Sequence, residues 1–112
     1  MTLKIMTMSL LSVFGIFTAS AAELKPGSPA PEFKVKTHTG ETFDLASRKG
    51  QWTVLYFYPK ADTPGCTKQA CTFRDKIKQV RDLGADVFGV SADSVEAQNK
   101  FHQKYNLNFT LL

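Results

Sequence analysis

The sequence predicts an α/β domain with a parallel sheet at its core, and three stretches carry that reading. Residues 52–58 are nearly all apolar, β-branched or aromatic, as in a central strand covered on both faces. Residues 66–83 place Ala70, Phe73, Ile77 and Val80 three and four apart, with Lys and Arg on the other face and Gly84 behind as a stop, which is the pattern of an amphipathic helix. Residues 86–91 form a second apolar run. Strand, helix and strand in that order make a right-handed βαβ unit.

The remaining elements follow in chain order. Residues 1–22 hold Lys4, an apolar stretch over 5–17 and then Thr18-Ala19-Ser20-Ala21-Ala22, which offers small-x-small cleavage points. This is the pattern of a secretory signal peptide, with an apolar stretch short of the ~20 residues of a membrane span. A mature chain beginning at Ala22 or Glu23 and exported is the expectation, periplasmic if the source is a Gram-negative bacterium. Residues 23–31, with three prolines and Gly27, read as an extended lead-in. Residues 33–37 alternate apolar and polar, Thr39-Gly40 turns the chain, and 42–45 returns it, giving an amino-terminal hairpin. After the second core strand, Asp93 or Ser94 caps a helix carrying Val95, Phe101 and Tyr105, and 108–112 begins another extended segment.

Composition narrows the function classes. With 112 residues, 43% hydrophobic and 21% charged, the chain suits one small domain over 23–112 and leaves no room for two. The net charge is +4, and without Lys4 it becomes 13 − 10 = +3, from basic residues interspersed with acidic ones. That is a solvated surface, so nucleic acid is not an expected partner, and no membrane span is expected after signal removal. His38 falls in a polar turn and His102 on a helix, away from metal-ligand spacing to either cysteine, and both read as ordinary surface histidines. Phosphate-binding glycine loops and internal repeats are absent from the sequence.

Chemistry concentrates between Tyr58 and Cys71, which hold both cysteines. Pro59, Pro64 and Gly65 interrupt the strand pattern and the helical pattern begins at Cys66, so this thiol is expected at a helix N-terminus beyond the end of a strand. A thiol attacks as its thiolate, and the unpaired N–H groups and roughly +0.5 charge of a helix N-terminus favour an anion. Lys60, Lys68 and Arg74 lie close in sequence, and Thr63 brings a hydroxyl that both donates and accepts. In an intact helix, Cα atoms five residues apart are roughly 8.6 Å from one another, whereas a disulfide needs less than about 7 Å. A Cys66–Cys71 bond therefore requires local unwinding, which suits a redox cycle. A purely structural disulfide is the bland alternative, and so small a closed loop stabilises little.

Pro59-x-x-x-Thr63-x-x-Cys66 with Cys71 resembles the active-site signature of the peroxiredoxins. Tyr56-Phe57-Tyr58-Pro59, Thr63-Pro64-Gly65-Cys66-Thr67, the earlier Gly27-x-x-Ala30-Pro31-x-Phe33 and the later Asp86-Val87-Phe88-Gly89-Val90-Ser91 are similar to its Q-type, or bacterioferritin-comigratory, branch. The resemblance implies a thioredoxin-like fold, with Cys66 as the peroxidatic cysteine, Cys71 as the resolving one, Thr63 orienting the peroxide and Pro59 shielding the pocket. It implies hydrogen peroxide or organic hydroperoxides as substrate, a thioredoxin-like protein as reductant, and no metal or bound cofactor. Gln69 stands where such proteins often carry an acidic residue. Relatives continue for several tens of residues past the position of Leu112, through two strands, a helix and an active-site arginine, so the fold is expected to be incomplete at its carboxyl terminus, as in a fragment or truncated reading frame. The competing function is a thioredoxin-type thiol–disulfide exchange module, against which the four-residue gap between the cysteines argues, since such modules usually carry Cys-x-x-Cys.

Overall fold

The computed structural model describes residues 23–112; the segment read as a signal peptide, 1–22, lies outside them. The chain divides at Ala30 into two units. In the first, residues 23–30 are an exposed lead-in with one turn, closed by the Ser28 N–H donating to the Lys25 carbonyl at 2.9 Å.

The second unit, from Pro31 onward, opens with the expected hairpin. Strands β1 (Lys34–Lys36) and β2 (Thr42–Asp44) pair antiparallel with Val35 opposite Phe43. Gly40 turns the chain at φ +84°, a conformation that glycine adopts without a Cβ clash. A 3₁₀ turn over Leu45–Arg48 follows, which the pattern reading missed; the Asp44 carboxylate nucleates it by accepting the Ala46 N–H at 3.0 Å.

Strand β3 (Trp52–Phe57), helix α1 (Pro64–Asp82), strand β4 (Ala85–Val90), helix α2 (Val95–Lys104) and strand β5 (Thr110–Leu111) complete the unit. The three strands are parallel in the order β3-β4-β5. Because both crossovers step the same way across the sheet, right-handedness puts both helices on one face. The main core lies there, with Tyr56, Tyr58 and Val87 from the sheet, Cys66, Ala70 and Ile77 from α1, and Phe101 from α2. On the other face, Phe43 of the hairpin packs with Phe88 and Leu112.

One expectation needs correction. Residues 52–58 were expected to form a central strand covered on both faces, but among the described residues β4 is central and β3 lies at the edge. Trp52 and Phe57 are 78% and 72% exposed. An apolar run reports hydrophobicity but not the number of neighbours a strand has. In the central strand, Gly89 is dictated by packing: a Cβ there would stand 2.7 Å from the Tyr56 hydroxyl and 3.0 Å from Leu111 Cδ2. The Tyr56 ring lies across the neighbouring strand only because that side chain is missing.

Helix ends follow local chemistry. Proline suits the first helical position, where its missing N–H is no loss, so α1 begins at Pro64, two residues before the expected start. It ends where Gly84, at φ +80°, donates its N–H to the Arg81 carbonyl at 2.9 Å. Of the two candidate caps for α2, Ser94 is the one used. Val95 is exposed, and the buried face of α2 is carried by Gln98 and Phe101. Among the described residues no helix is long and apolar enough to cross a membrane.

Candidate active site

Cys66 is the third residue of α1, 8% exposed, packed in the main core and present as a free thiol. Two features of the sequence put it there. Pro64 and Gly65 open the helix after the short loop that follows β3, and Ala70, one turn on, is small enough to be fully buried beneath the helix. Thr63 is the N-cap, with extended backbone at φ −97°. Its hydroxyl turns back to donate to the Lys60 carbonyl at 2.8 Å. The helix N–H groups are therefore left to Cys66 and its surroundings, while the Thr63 oxygen keeps its lone pairs for an incoming O–H donor. Pro59 is exposed at the mouth of this turn.

Cys71 is half-buried, also a free thiol, and lies in the same unbroken helix. The two thiols cannot bond until the turns between them open. Of the neighbouring cations, Lys60 and Lys68 are exposed, and Arg74 is engaged elsewhere. Its guanidinium donates to the Tyr105 carbonyl at 2.6 Å and to Asp75 at 3.0 Å. A groove of about 450 Å³ runs along the outer stripe of α1 past Gly65, Lys68, Gln69, Thr72 and Phe73, flanking Cys66 rather than containing it.

The loop between β3 and α1 is fastened by acids that the sequence reading did not single out. Asp93, considered there only as a helix cap, accepts the Ala61 N–H at 2.8 Å and the Ser91 hydroxyl at 2.7 Å. Asp62, in left-handed backbone at φ +59°, accepts from the Lys104 ammonium at 2.8 Å and the Tyr105 hydroxyl at 2.7 Å. Those hydrogen bonds, Lys104 first, hold its carboxyl below the usual carboxylate range.

Two tyrosines floor the site. Tyr58 donates to the buried Gln98 side chain, which in turn donates to the Leu112 carbonyl at 2.8 Å, so this ring is a core tyrosine with a satisfied hydroxyl. Burial pushes its hydroxyl pKa up to about 12, against the opposing effect of Ser91 and Gln98. Tyr56 stacks on Phe73 with ring centroids 4.6 Å apart, and its hydroxyl has no hydrogen-bond partner among the described residues. Burial, with smaller contributions from Tyr58 and the two cysteines, raises its pKa too. Gln98 had a legible signal, since it shares the 98, 101, 105 stripe of α2 with Phe101 and Tyr105.

The histidines are not the ordinary surface residues expected. Their rings stack 3.9 Å apart at 14°, joining the hairpin turn to α2. His38 Nδ1 accepts the Leu111 N–H at 3.2 Å, and the His38 N–H donates to the Leu111 carbonyl at 2.9 Å. A turn residue and a helix residue 64 positions apart gave no sequence signal for this.

A strand leading into a helix that opens on a buried cysteine, with a threonine three residues before it and a second cysteine five after, matches what comparison finds. Residues 26–112 match the AhpC/TSA family. The chain belongs to that family. It is 53% identical over 89 residues to a putative peroxiredoxin bcp of Coxiella burnetii, covering 80% of this chain and 59% of that protein. It is 47% identical over 91 residues to the chloroplastic peroxiredoxin Q of Sedum lineare, covering 81% and 49%. Among solved structures, the peroxidoxin BcpB of Mycobacterium tuberculosis superposes with a TM-score of 0.77 at 37% identity, over 80% of this chain and 59% of that one. The thioredoxin-like fold and the Q-type kinship implied by the motifs are thereby borne out. The chain spans about half to three-fifths of the length of these relatives.

Proposed function

We propose that this protein is an exported thiol peroxidase that reduces hydrogen peroxide and organic hydroperoxides. The observation that supports it best is Cys66, a free thiol in the first turn of α1, with Cys71 free in the same helix. The Cys66 thiolate attacks one oxygen of the peroxide, the O–O bond breaks, and the other oxygen leaves as hydroxide or alkoxide to be protonated to water or alcohol. Cys66 becomes a sulfenic acid. Thr63 orients the peroxide by accepting its O–H, the free N–H groups at the start of α1 stabilise the leaving oxygen, and Pro59 shields the turn from bulk water. Once the first turns of α1 open, the Cys71 thiol displaces hydroxide from the sulfenic sulfur, giving the Cys66–Cys71 disulfide and water. A thioredoxin-like dithiol then takes up the oxidation and restores both thiols.

The test is peroxide consumption by the purified, reduced protein with and without a thioredoxin system. Turnover that depends on both peroxide and the reductant is expected. Reduction of a protein disulfide without peroxide consumption would make the protein an exchange module instead. Export is tested by mass spectrometry of the native protein, which is expected to lack residues 1–21; an intact amino terminus in the cytoplasm would refute it.

A further inference from the structure

The thiol cycle requires α1 to open between Cys66 and Cys71, and the fold holds both boundaries of that opening at one residue. On the amino-terminal side, the Tyr105 hydroxyl donates to the Asp62 carboxylate at 2.7 Å, and Lys104 reaches the other oxygen at 2.8 Å. On the carboxyl-terminal side, the Tyr105 carbonyl accepts from the Arg74 guanidinium at 2.6 Å. Asn108 reinforces that side by donating to the Arg74 carbonyl at 3.1 Å and accepting from Arg81 at 2.9 Å. The ring of Tyr105 is itself fixed edge-on against Phe101 of α2, at 5.6 Å between centroids. Both cysteines lie in the stretch between the two ties, residues 63–73.

We propose that Tyr105 is a positioning residue that confines the unwinding of α1 to residues 63–73 and sets how readily Cys71 reaches an oxidised Cys66; this rests on the peroxidase reading above. Tying both ends of a segment limits the conformational entropy it gains on opening, so the ties oppose unwinding. Exposed pairs of this kind hold an equilibrium by up to about fivefold. Loosening one of them therefore raises the open fraction and speeds disulfide formation by roughly two- to fivefold. The rate at which peroxide oxidises Cys66 changes by less than about twofold, because the closed state still dominates and Asp93 still holds Ala61.

The experiment compares wild type with Tyr105→Phe, which keeps the ring and removes only the hydroxyl. Asp62→Gly is the second variant: it removes the acceptor while tolerating the left-handed backbone, and serves if the first folds poorly. The disulfide is made with diamide, which takes up the two electrons and two protons of the thiol pair, and amide exchange is followed by mass spectrometry. In oxidised wild type, exchange is expected to be fast over 63–73 while the Ala61 N–H, held by Asp93, stays protected. In the oxidised variants the opening reaches Ala61 and its N–H also exchanges fast, disulfide formation accelerates, and less sulfinic acid accumulates at high peroxide. An exchange boundary and a rate identical to wild type, slower disulfide formation, or failure of wild type to form the Cys66–Cys71 bond with diamide would each overturn the proposal. If the diamide results come out as expected but peroxide leaves no sulfenic acid on Cys66, the tether stands and the peroxidase reading falls.

Discussion

The two helices of this domain follow strands of one sheet and pack on one face of it, yet they start in opposite ways. At α2, the Ser94 hydroxyl accepts the Ala97 N–H at 3.1 Å, Glu96 sits in the first turn, and Lys100 pairs with Glu96 one turn on at 3.2 Å. Each of these favours a closed helix end. At α1, the Thr63 hydroxyl turns away to the Lys60 carbonyl, Pro64 and Gly65 fill the first positions, and the first turn is free of acids. Glycine inside a helix costs up to about 1 kcal/mol relative to alanine. Helix α2 is built to stay shut. Helix α1 keeps its N–H groups available and its first turns easy to open, and those two properties are what the thiol chemistry proposed above for Cys66 and Cys71 requires.

The largest expected effect falls on the two thiols themselves. Cys66→Ser abolishes peroxide reduction, whereas Cys71→Ser completes one oxidation and stalls at a sulfenic acid that a dimedone-type reagent traps. Equal stoichiometric loss in both variants would remove the distinction between the first turn of α1 and its second.

Next comes the floor beneath α1. In Gly89→Ala the new methyl meets the Tyr56 hydroxyl and Leu111, and overpacking of this kind costs about 1–3 kcal/mol. For a domain of this size a loss of 1 kcal/mol lowers Tm by roughly 4–8 °C. Gly89→Ala with Tyr56→Phe should recover part of it, since the atom nearest the methyl is then gone. An unchanged melting temperature in the single variant would refute the packing argument.

The contrast between the caps gives a paired prediction. Ser94→Ala costs about 1 kcal/mol of stability and leaves the rate of Cys66 oxidation unchanged. Thr63→Ala costs under about 0.5 kcal/mol, because its hydroxyl does not cap the helix, but slows Cys66 oxidation roughly tenfold through loss of a hydrogen bond to peroxide. Stopped-flow oxidation and thermal unfolding of both variants separate the two. If Thr63→Ala loses stability and keeps its rate, the reading of the α1 cap is inverted.

The smallest effect is a pH dependence at the far end of α2. His38 and His102 are both held below the ordinary value of 6.5 by burial, and His38 further by the charge of His102, while a backbone hydrogen bond with Leu111 and the charge of Glu41 oppose at His38 and a backbone hydrogen bond with Phe109 opposes at His102. The folded pKa values lie below the unfolded ones, so the unfolded chain takes up more protons as pH drops. This part of the stability is present above pH 6.5 and is lost as pH falls through the folded values. Protonation of His38 Nδ1 also breaks its bond to the Leu111 N–H. His102→Phe, which keeps a stacked ring, should flatten the fall in Tm between pH 7.5 and 5; an unchanged slope would show that other groups carry it.

Much of the domain was legible because it depends on near neighbours in the chain. The period of 66–83 and the glycine at its end specify most of α1 without help from the rest of the molecule, and the spacing of Cys66 and Cys71 already says that a bond between them would need the helix to open. The strands at 52–57 and 85–90 were visible as apolar runs for the same reason. Their places in the sheet were not, since apolarity alone does not say which strand has a neighbour on each side.

What tertiary structure alone decided are the contacts between residues far apart in sequence. Gln98 reads as a polar residue on a helix until it is placed between Tyr58, 40 residues away, and the Leu112 carbonyl. Asp62 reads as a turn residue until Tyr105 and Lys104 reach it across more than 40 positions. His38 sits 73 positions from the Leu111 N–H it accepts. Local composition specifies which segments become strands and helices because their hydrogen bonds and periodic faces are set within a few residues. A polar side chain acquires its partner only when the sheet order and the helix face are fixed, and that geometry comes from burying the apolar faces of the whole chain together.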